Sequence, residues 1–358
     1  MPLPMPSPTS PDFPFHTPPA PGETLAVAPG VHWLRMPLPF ALDHINLWLL
    51  EDERDGKPAW TIVDTGYASS EVRALWEMVL GRLTAPIARI IVTHFHPDHV
   101  GLAHWLQERS GAPVCMTAAE YLTAHAVFHE TAGHGTQPML AQFARHGLGG
   151  ERIAALEKRA NAYRNGVPSL PHAYSRLLDG DRLVIGGKSW QIRVGYGHSP
   201  EHASLYCQDG GVLISGDMLL PKISTNISVF AVTPGADSLA LYLDSLDKDR
   251  CLPDGTLVLP SHGLPFTGIH GRVAAQHEHH EERLQVLENA CGEARSAADL
   301  LATLFPRELD THQVMFAMGE AIAHLNRLEY AGRLLREQGA DGIIRYRRRT
   351  APQKTTQN

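Results

Sequence analysis

The sequence predicts a layered α/β protein. Short apolar runs rich in β-branched residues recur up to about residue 263, amphipathic segments of helical period alternate with them, and polar side chains directly follow several runs. The chain has 358 residues, of which 43% are hydrophobic and 19% are charged, so it can bury a sizeable core without disulfide staples. This length fits one large domain or two domains.

The charge and the cysteines limit the compartment and the partners. A formal net charge of −7 argues against a nucleic acid as the main partner, because phosphate contacts need a basic surface. The four cysteines are widely spaced and form no CxxC pair, which is typical of buried thiols in a reducing compartment. The first 22 residues contain no Lys or Arg and no apolar segment of signal-peptide type, so we expect a cytoplasmic protein without membrane contact.

The N-terminal part predicts strands that alternate with helices. Residues 1–23 are so rich in proline that we expect a disordered arm, followed by a catalytic domain over residues 24–270. The segment SSEVRALWEMVLGRL predicts an amphipathic helix with a serine cap, and a second helix is expected to begin near Pro97 and end at Gly111. The strands predicted here are 32–38, 44–52, 59–66, 87–94 and 112–117.

The pattern then changes twice. Residues 118–176 are helical in pattern and lie between strands, which predicts a helical insertion that is too long for a simple loop. Strands resume at three places, the second of which contains the hairpin signal QDGG: 182–197, 203–217 and 255–263. A small winged-helix-like domain over residues 271–350 is predicted from three helical segments and one basic extended segment, which are 270–290, 296–305, 311–339 and 342–349.

Polar side chains follow the carboxyl ends of four of the predicted strands. The stretch IIVTHFHPDHVG places three histidines and an aspartate within six positions, and single His or Asp residues follow three later strands. Open α/β sheets carry their sites at the carboxyl ends of strands, so we expect these side chains to converge on one rim. They are His94, His96, Asp98, His99, His198, Asp217 and His262.

This set is too large for one tetrahedral zinc ion, which takes four ligands. Two divalent metal ions about 3.5–4 Å apart would use all of it. The expected division places His94, His96 and His198 on one ion, Asp98, His99 and His262 on the other, and Asp217 between them as a bridge. Zinc is the expected metal, with iron and manganese as alternatives, because His/Asp sites accept all three.

The order and spacing of these ligands resemble the metallo-β-lactamase superfamily. The resemblance covers roughly residues 25–270 and rests on the motif His94-x-His96-x-Asp98-His99, followed by His198, Asp217 and His262. It implies a four-layered αβ/βα sandwich, to which this chain adds the helical insertion and the C-terminal domain.

Two further residues match the family pattern without being ligands. The resemblance implies that Asp64 of DTG and His202 of GHSPEH orient ligands from behind. For Asp64, a turn former at the end of a strand is an equal alternative. The related thioesterases carry Gly where this chain has Glu201, so the resemblance does not fix the geometry of this loop.

Individual residues argue against several activities of the family. The true β-lactamases are exported and lack an Asp at the bridging position, where this chain has Asp217. Flavodiiron oxidoreductases have Glu where this chain has His96, and the Pro-x-Lys-x-Arg-Asn signature of the tRNA-processing nucleases is not found. The resemblance that remains is to hydroxyacylglutathione hydrolases, lactonases and acyl-thioester hydrolases.

The expected function is therefore a dinuclear metal-dependent hydrolase. It would attack a small-molecule thioester, or a related ester or lactone, with a metal-bridging hydroxide, while one ion polarises the carbonyl. Asp98 would orient the hydroxide and collect its proton, and Asp217 would hold both ions. The alternative is an endoribonuclease acting on single-stranded RNA, because the C-terminal domain resembles that of the lactamase-like protein 2 group and contains the arginines Arg333, Arg336, Arg345 and Arg347–Arg349.

Three expectations concern segments outside the ligand set. The insertion over residues 118–176 is expected to cap the metal rim. The apolar face of VMFAMGEAIAHLNRL must be buried, within the chain or in a homodimer. The histidines of HEHHEER are expected to lie on a solvated helix face.

Overall fold

The computed structural model describes residues 11–131 and 133–349. Within this part of the chain the strands form a seven-stranded sheet, a five-stranded sheet and a two-stranded hairpin. The chain divides into two compact units. In their described parts, the first unit comprises residues up to 135, 161–225 and 241–276, and the second comprises 136–160, 226–240 and 277 onward.

The seven-stranded sheet follows the order of the chain. Its first four strands pair antiparallel, and its last four pair parallel. The strands are β1 Thr24–Ala28, β2 Val31–Pro37, β3 His44–Arg54, β4 Lys57–Val63, β5 Ile87–Ile91, β6 Val114–Thr117 and β7 Ser175–Leu177.

The five-stranded sheet runs in the order β12-β11-β10-β9-β8 and is antiparallel except for the parallel pair β11–β12. Its strands are β8 Arg182–Ile185, β9 Lys188–Gly195, β10 His202–Cys207, β11 Val212–Gly216 and β12 Leu257–Pro260. The predicted QDGG turn is confirmed, because it joins β10 to β11 and Gly211 adopts a φ of 59°. The remaining hairpin pairs β13 Leu334–Gln338 with β14 Ile344–Arg348.

Three of the helix ends predicted from the sequence carry recognisable terminal residues. Helix α1 starts after Ser69, whose Oγ accepts a hydrogen bond from the Val72 amide at 3.1 Å. Pro97 opens α2, and Gly111 closes α3 with a φ of 69°. The helices are α1 Ser70–Arg82, α2 Pro97–Val100, α3 Ala103–Ser110, α4 Ala118–Phe128, α5 Thr136–Arg145, α6 Gly150–Glu157, α7 Tyr163–Gly166, α8 Ser238–Asp247, α9 Ile269–Ala290, α10 Leu301–Leu304 and α11 Thr311–Tyr330, with short 3₁₀ turns at Lys248–Cys251 and Ala298–Leu300.

The core of the first unit lies between the two large sheets. Trp48 and Ile91 of the seven-stranded sheet and Trp190 and Leu205 of the five-stranded sheet belong to one buried cluster. Helices α1 and α3 pack against the seven-stranded sheet, and Ser245 of α8 accepts a hydrogen bond from the Tyr196 amide that follows β9. The predicted αβ/βα layering is confirmed.

The structure differs from the sequence prediction at both ends of the chain. Residues 11–23 were expected to be disordered, but Asp12 pairs with Thr267 through two backbone hydrogen bonds, while residues 1–10 lie outside the described residues. The helix predicted over residues 311–339 ends at Tyr330. Gly332, at a φ of 69°, turns the chain, and the backbone groups of Leu334–Gln338 then pair in a hairpin despite their helical composition.

The predicted helical insertion is not one unit. Its residues 118–135 and 161–176 belong to the first unit, and its residues 136–160 belong to the second. Its last residues, Ser175 and Arg176, are in strand β7, which completes the seven-stranded sheet. A role as a cap stays a prediction, as does the winged-helix assignment of the C-terminal elements.

Candidate metal centre

The ends of several strands bring the predicted ligands to one edge of the sandwich. His94 follows β5, His198 follows β9, Asp217 follows β11 and His262 follows β12. The two sheets are joined at this edge by a hydrogen bond of 2.9 Å from the Ala203 amide to the Thr93 carbonyl. This is the convergence that the topology of open sheets favours.

The seven predicted ligands form two adjoining groups. The ligand atoms within each group all lie within 4.8 Å of one another. The first group consists of His94, His96, His198 and Asp217, and the second consists of Asp98, His99 and His262.

Asp217 lies between the two groups. Its Oδ2 is 3.4 Å from His198 Nε2 in the first group and 3.6 Å from His99 Nε2 in the second, and its Oδ1 is 3.4 Å from His262 Nε2. Asp98 Oδ2 completes the second group at 3.4 Å from His262 Nε2. The carboxylate of Asp217 is therefore placed to serve both groups, as a bridging ligand would.

Burial sets the charges of these groups. Burial and neighbouring imidazoles lower the pKa of His94 well below its ordinary value and that of His96 to about 3. Burial acts to raise the pKa of Asp98, but nearby imidazoles lower it to about 2. Burial acts to lower the pKa of His262, but nearby carboxylates raise it to about 10. The imidazoles of His94 and His96 are therefore unprotonated, which is the form that binds a metal, whereas the raised pKa values of His99 and His262 mean that a cation must displace a proton in the second group.

The nitrogen and oxygen atoms of the predicted ligands are arranged better for binding cations than for hydrogen-bonding one another. His94 Nε2 has two imidazole nitrogens within hydrogen-bonding distance, His96 Nδ1 at 2.9 Å and His198 Nε2 at 3.2 Å, yet it carries at most one proton. Among the described residues, His99 Nε2 and Asp217 Oδ1 are buried without a hydrogen-bond partner. These nitrogen and oxygen atoms converge but have too few protons to hydrogen-bond one another fully, an arrangement that matches the coordination shell of a divalent cation.

Asp64 orients His99 from behind. Its Oδ2 accepts a hydrogen bond from His99 Nδ1 at 2.8 Å, and its Oδ1 accepts one from the Thr93 amide at 2.8 Å. Asp64 adopts a φ of 61°, a left-handed conformation that Asp and Asn tolerate better than most residues. Both interpretations of Asp64 therefore have support, since it ends a strand at a turn and also contacts a predicted ligand.

His202 contacts the backbone of the bridging residue. Its Nε2 accepts a hydrogen bond from the Asp217 amide at 3.1 Å, and its ring centroid lies 4.8 Å from that of His94. A Cβ at Gly216 would lie 2.4 Å from this ring, so only glycine lets His202 approach Asp217 this closely.

His262 is held by the first residue of strand β3. Its Nδ1 donates a hydrogen bond to the His44 carbonyl at 2.8 Å, which leaves Nε2 directed at the two aspartates. His44 Nε2 in turn accepts from the Gly263 amide at 2.9 Å, and buried Asn46 donates to the Pro260 carbonyl at 2.8 Å. Neither His44 nor Asn46 was predicted from the sequence, although HINLWLLED was predicted as a strand.

Two glutamates lie near the site without having been assigned a role from the sequence. Glu201, the departure from the thioesterase pattern, accepts a hydrogen bond from the Ala119 amide at 3.3 Å and so contacts the start of α4. Glu120, in the first turn of α4, is fully buried, and burial raises its pKa to about 7 against the effect of its hydrogen bonds. Nothing in AAEYLTAH distinguishes Glu120 from a surface residue.

The HEHHEER segment does not lie on a solvated face along its whole length. Glu278, Glu281 and Glu282 are exposed, but His280 is fully buried and its Nδ1 lies 3.1 Å from His324 Nε2. The prediction is wrong for His280, because the part of α9 from residue 277 onward belongs to the second unit and buries the His280 side chain there.

The comparisons with known proteins identify the family. Residues 42–262 match the model of the metallo-β-lactamase superfamily, a span that contains every ligand predicted above. The chain belongs to the metallo-β-lactamase superfamily. Residues 284–349 also match the model of the metallo-β-lactamase-like C-terminal domain. Members of this superfamily use divalent metals, in agreement with the His/Asp groups described here.

Relatives extend this similarity over most of the chain. A β-lactamase domain protein from Burkholderia ambifaria is 50% identical, with a TM-score of 0.88 over 95% of this chain and 98% of that one. The probable metallo-hydrolase YqjP of Bacillus subtilis is 24% identical over 83% of this chain and 91% of its own. A hydroxyacylglutathione hydrolase from Albidiferax ferrireducens is 26% identical over 65% of this chain and 68% of its own. The chain is a metal-dependent hydrolase of this superfamily.

Among the described residues, no helix combines the length and the apolar composition needed to cross a membrane.

Proposed function

We propose that this superfamily member is a dinuclear hydrolase of small-molecule thioesters, with related esters and lactones as the nearest variants. The observation that carries the proposal is the pair of adjoining ligand groups with Asp217 within 3.6 Å of imidazoles in both. All seven donors are imidazole nitrogens or carboxylate oxygens, a set that zinc, iron and manganese accept, and zinc is the metal we propose. When bound, such ions make hydroxide available at neutral pH and polarise a carbonyl.

Asp98 is the residue best placed to handle the proton of the attacking water. Its side chain is 19% exposed, whereas those of His94 and His99 are 0% exposed, so of these three it is the one that solvent contacts. Nearby imidazoles lower the pKa of Asp98 to about 2 against the effect of burial, so it is ionised and can accept a hydrogen bond from that water.

The leaving group must then depart with little help from a protein acid. The neighbouring imidazole of His44 has both nitrogens engaged, Nδ1 with Asp43 at 2.7 Å and Nε2 with the Gly263 amide at 2.9 Å. Burial lowers its pKa, so it is poorly suited to protonate a departing amine. A thiolate, whose conjugate acid has a pKa near 8.5, needs no such proton. Similarity to a hydroxyacylglutathione hydrolase supports the same substrate class.

The competing function is cleavage of single-stranded RNA. The basic hairpin of β13 and β14 favours it, but several of the hairpin's arginines are neutralised. Arg345 pairs with Asp341 at 2.7 Å, and Arg333 pairs with Glu288 at 2.7 Å and with Glu281 at 2.9 Å. These pairs oppose the use of the hairpin as a phosphate-binding surface.

The test is a substrate panel built around one acyl group. The purified, metal-loaded protein is assayed with the thioester, the oxygen ester and the amide of that acyl group, and with a lactone, a β-lactam and a short RNA. We expect kcat/KM to fall from thioester to ester to amide, with the thioester ahead of the β-lactam and the RNA by at least ~100-fold, about 2.7 kcal/mol of transition-state stabilisation. RNA as the best substrate, or an amide hydrolysed as fast as its thioester, would overturn the proposal.

A further inference from the structure

A buried carboxylate links the segments that carry the first ligand group. Glu120 Oε2 accepts a hydrogen bond from the Phe95 amide at 2.9 Å. Its Oε1 accepts two more, from Ser199 Oγ and from the Glu201 amide, both at 2.6 Å. The Glu120 side chain is fully buried, so these three protein donors satisfy it where water does not reach.

The three donors to this carboxylate lie in two separate segments of the chain that carry predicted ligands. Phe95 lies between His94 and His96, and Ser199 directly follows His198. The two segments are about 100 residues apart in sequence, yet both are bound to one carboxylate on α4. The N-terminus of α4 favours a negative charge at this point through the helix dipole.

We propose that Glu120 is a positioning residue for the first ligand group. Its carboxylate fixes the separation between the segment of His94 and His96 and the segment of His198, and thereby sets how well these three imidazoles hold a cation. This inference rests on the metal-dependent function proposed above. Residues that orient metal ligands by hydrogen bonding change metal affinity by about 10- to 100-fold when they are replaced.

The effect is expected to be confined to one of the two groups. In the second group, His99 is oriented by Asp64 and His262 by the His44 carbonyl, and neither contact involves Glu120. A general loosening of the fold would weaken both groups together. A selective loss from the first group is therefore the mark of positioning.

The substitution Glu120→Gln isolates the requirement for two accepting oxygens. It keeps the shape of the side chain but replaces one oxygen by an NH₂ group, which is only a donor. In either orientation, that NH₂ then faces an amide N–H, of Phe95 or of Glu201, and two donors repel. Ser199→Ala is a milder variant, because it removes one of the three hydrogen bonds and leaves the carboxylate in place.

Asp52 offers a matched control in the same unit. It is a buried carboxylate that accepts hydrogen bonds from Thr61 Oγ1 at 2.6 Å and from the Glu53 and Gly186 amides at 2.8 and 3.2 Å. None of its partners adjoins a predicted ligand. Asp52→Asn therefore replaces one oxygen of a buried, hydrogen-bonded carboxylate away from the metal centre, and it also removes the ion pair of Asp52 with Arg89 at 3.3 Å.

The experiment measures metal binding to the full-length apo-protein. Co²⁺ titration is followed by visible absorption, with Zn²⁺ affinities from competition with a chromophoric chelator. His198→Ala and His262→Ala assign the two binding steps of the wild-type protein to the first and second groups. We expect Glu120→Gln to weaken the step that depends on His198 by about 10- to 100-fold and to leave the other step within about threefold.

The milder variant and the control complete the design. Ser199→Ala should weaken the same step by about three- to tenfold, so it decides the matter if Glu120→Gln does not fold. Asp52→Asn should lower the unfolding temperature without changing either affinity. If Glu120→Gln or Ser199→Ala binds both ions like Asp52→Asn, Glu120 has only a structural role and the inference is wrong. If the wild-type protein takes up no Co²⁺, the metal centre itself is wrong, and the role of Glu120 with it.

Discussion

Asp64→Asn should disable the second ligand group through the tautomer of one histidine. Asp64 Oδ2 accepts a hydrogen bond from His99 Nδ1 at 2.8 Å, which keeps the proton on Nδ1 and leaves the Nε2 lone pair for a cation. In the variant, the amide can donate to Nδ1 instead. His99 would then carry its proton on Nε2 and could not bind a metal. The backbone should accept the change, because Asn tolerates the φ of 61° found at Asp64.

The expected loss follows from the hydrogen bond that is removed. A buried hydrogen bond to a charged group contributes about 1.5–3 kcal/mol. Since each 1.4 kcal/mol corresponds to a factor of ten, the ion held by Asp98, His99 and His262 should bind about 10- to 150-fold more weakly. The first group should change less, because Asp64 reaches it only through Thr93, whose Oγ1 donates to Asp64 and lies 3.0 Å from His94 Nδ1.

The measurement is a Zn²⁺ competition titration of apo-protein, with Asp52→Asn as the control for loss of a buried carboxylate. The step lost in His262→Ala identifies the second group. Affinity of that step within twofold of wild type would refute the tautomer argument. An equal loss in both steps would show that Asp64 supports the rim as a whole and does not act through His99.

Three further predictions test other parts of the molecule. Asp217→Ala should reduce the metal content from two ions to one per chain and remove most hydrolysis while leaving the circular dichroism spectrum unchanged, because Asp217 contacts both groups. Burial, together with the positive charges of Arg336 and Arg145, lowers the pKa of His146 to about 4, so as the pH falls from 6.5 to 4 the proton binds mainly to the unfolded chain. The free energy of unfolding, measured in urea at each pH, should therefore fall by about 3 kcal/mol more in the wild type than in His146→Phe. The logarithm of the RNA affinity, plotted against the logarithm of the salt concentration, should have a slope no steeper than about −2, because among the described hairpin arginines only the run Arg347–Arg349 has no carboxylate at salt-bridge distance. A slope near about −5 would support the RNA function instead.

The parts of the fold that the sequence predicted are those with local signals. The cap at Ser69, the proline that opens α2 and the glycine that closes α3 act through neighbouring atoms, so their sequence pattern was enough. The seven ligands were predicted because each follows the end of a strand, and strand ends of such sheets meet at one edge.

The parts that were missed depend on contacts distant in sequence. Glu120 bonds to Ser199 and Glu201, which lie 79 and 81 residues away, and two of its three donors are backbone amides that every residue carries. Asp12, in the segment expected to be disordered, is paired by Thr267, and the strand that follows α11 pairs Leu334 with Arg348. Propensity favoured a disordered arm and a longer helix, and tertiary pairing overrode both.

The predicted ligands are positioned by hydrogen bonds with residues that are not ligands themselves. Asp64 at the end of β4 holds His99, the carbonyl of His44 in β3 holds His262, and Glu120 on α4 holds the segments of the first group. Each of these partners belongs to the sandwich, whose core of buried apolar side chains lies between two sheets. We therefore expect the ligands to be placed before a cation arrives, with folding supplying the ordering that small zinc domains obtain from the metal. For this reason the substitutions behind the ligands should lower metal affinity in steps confined to one group, and leave the fold in place.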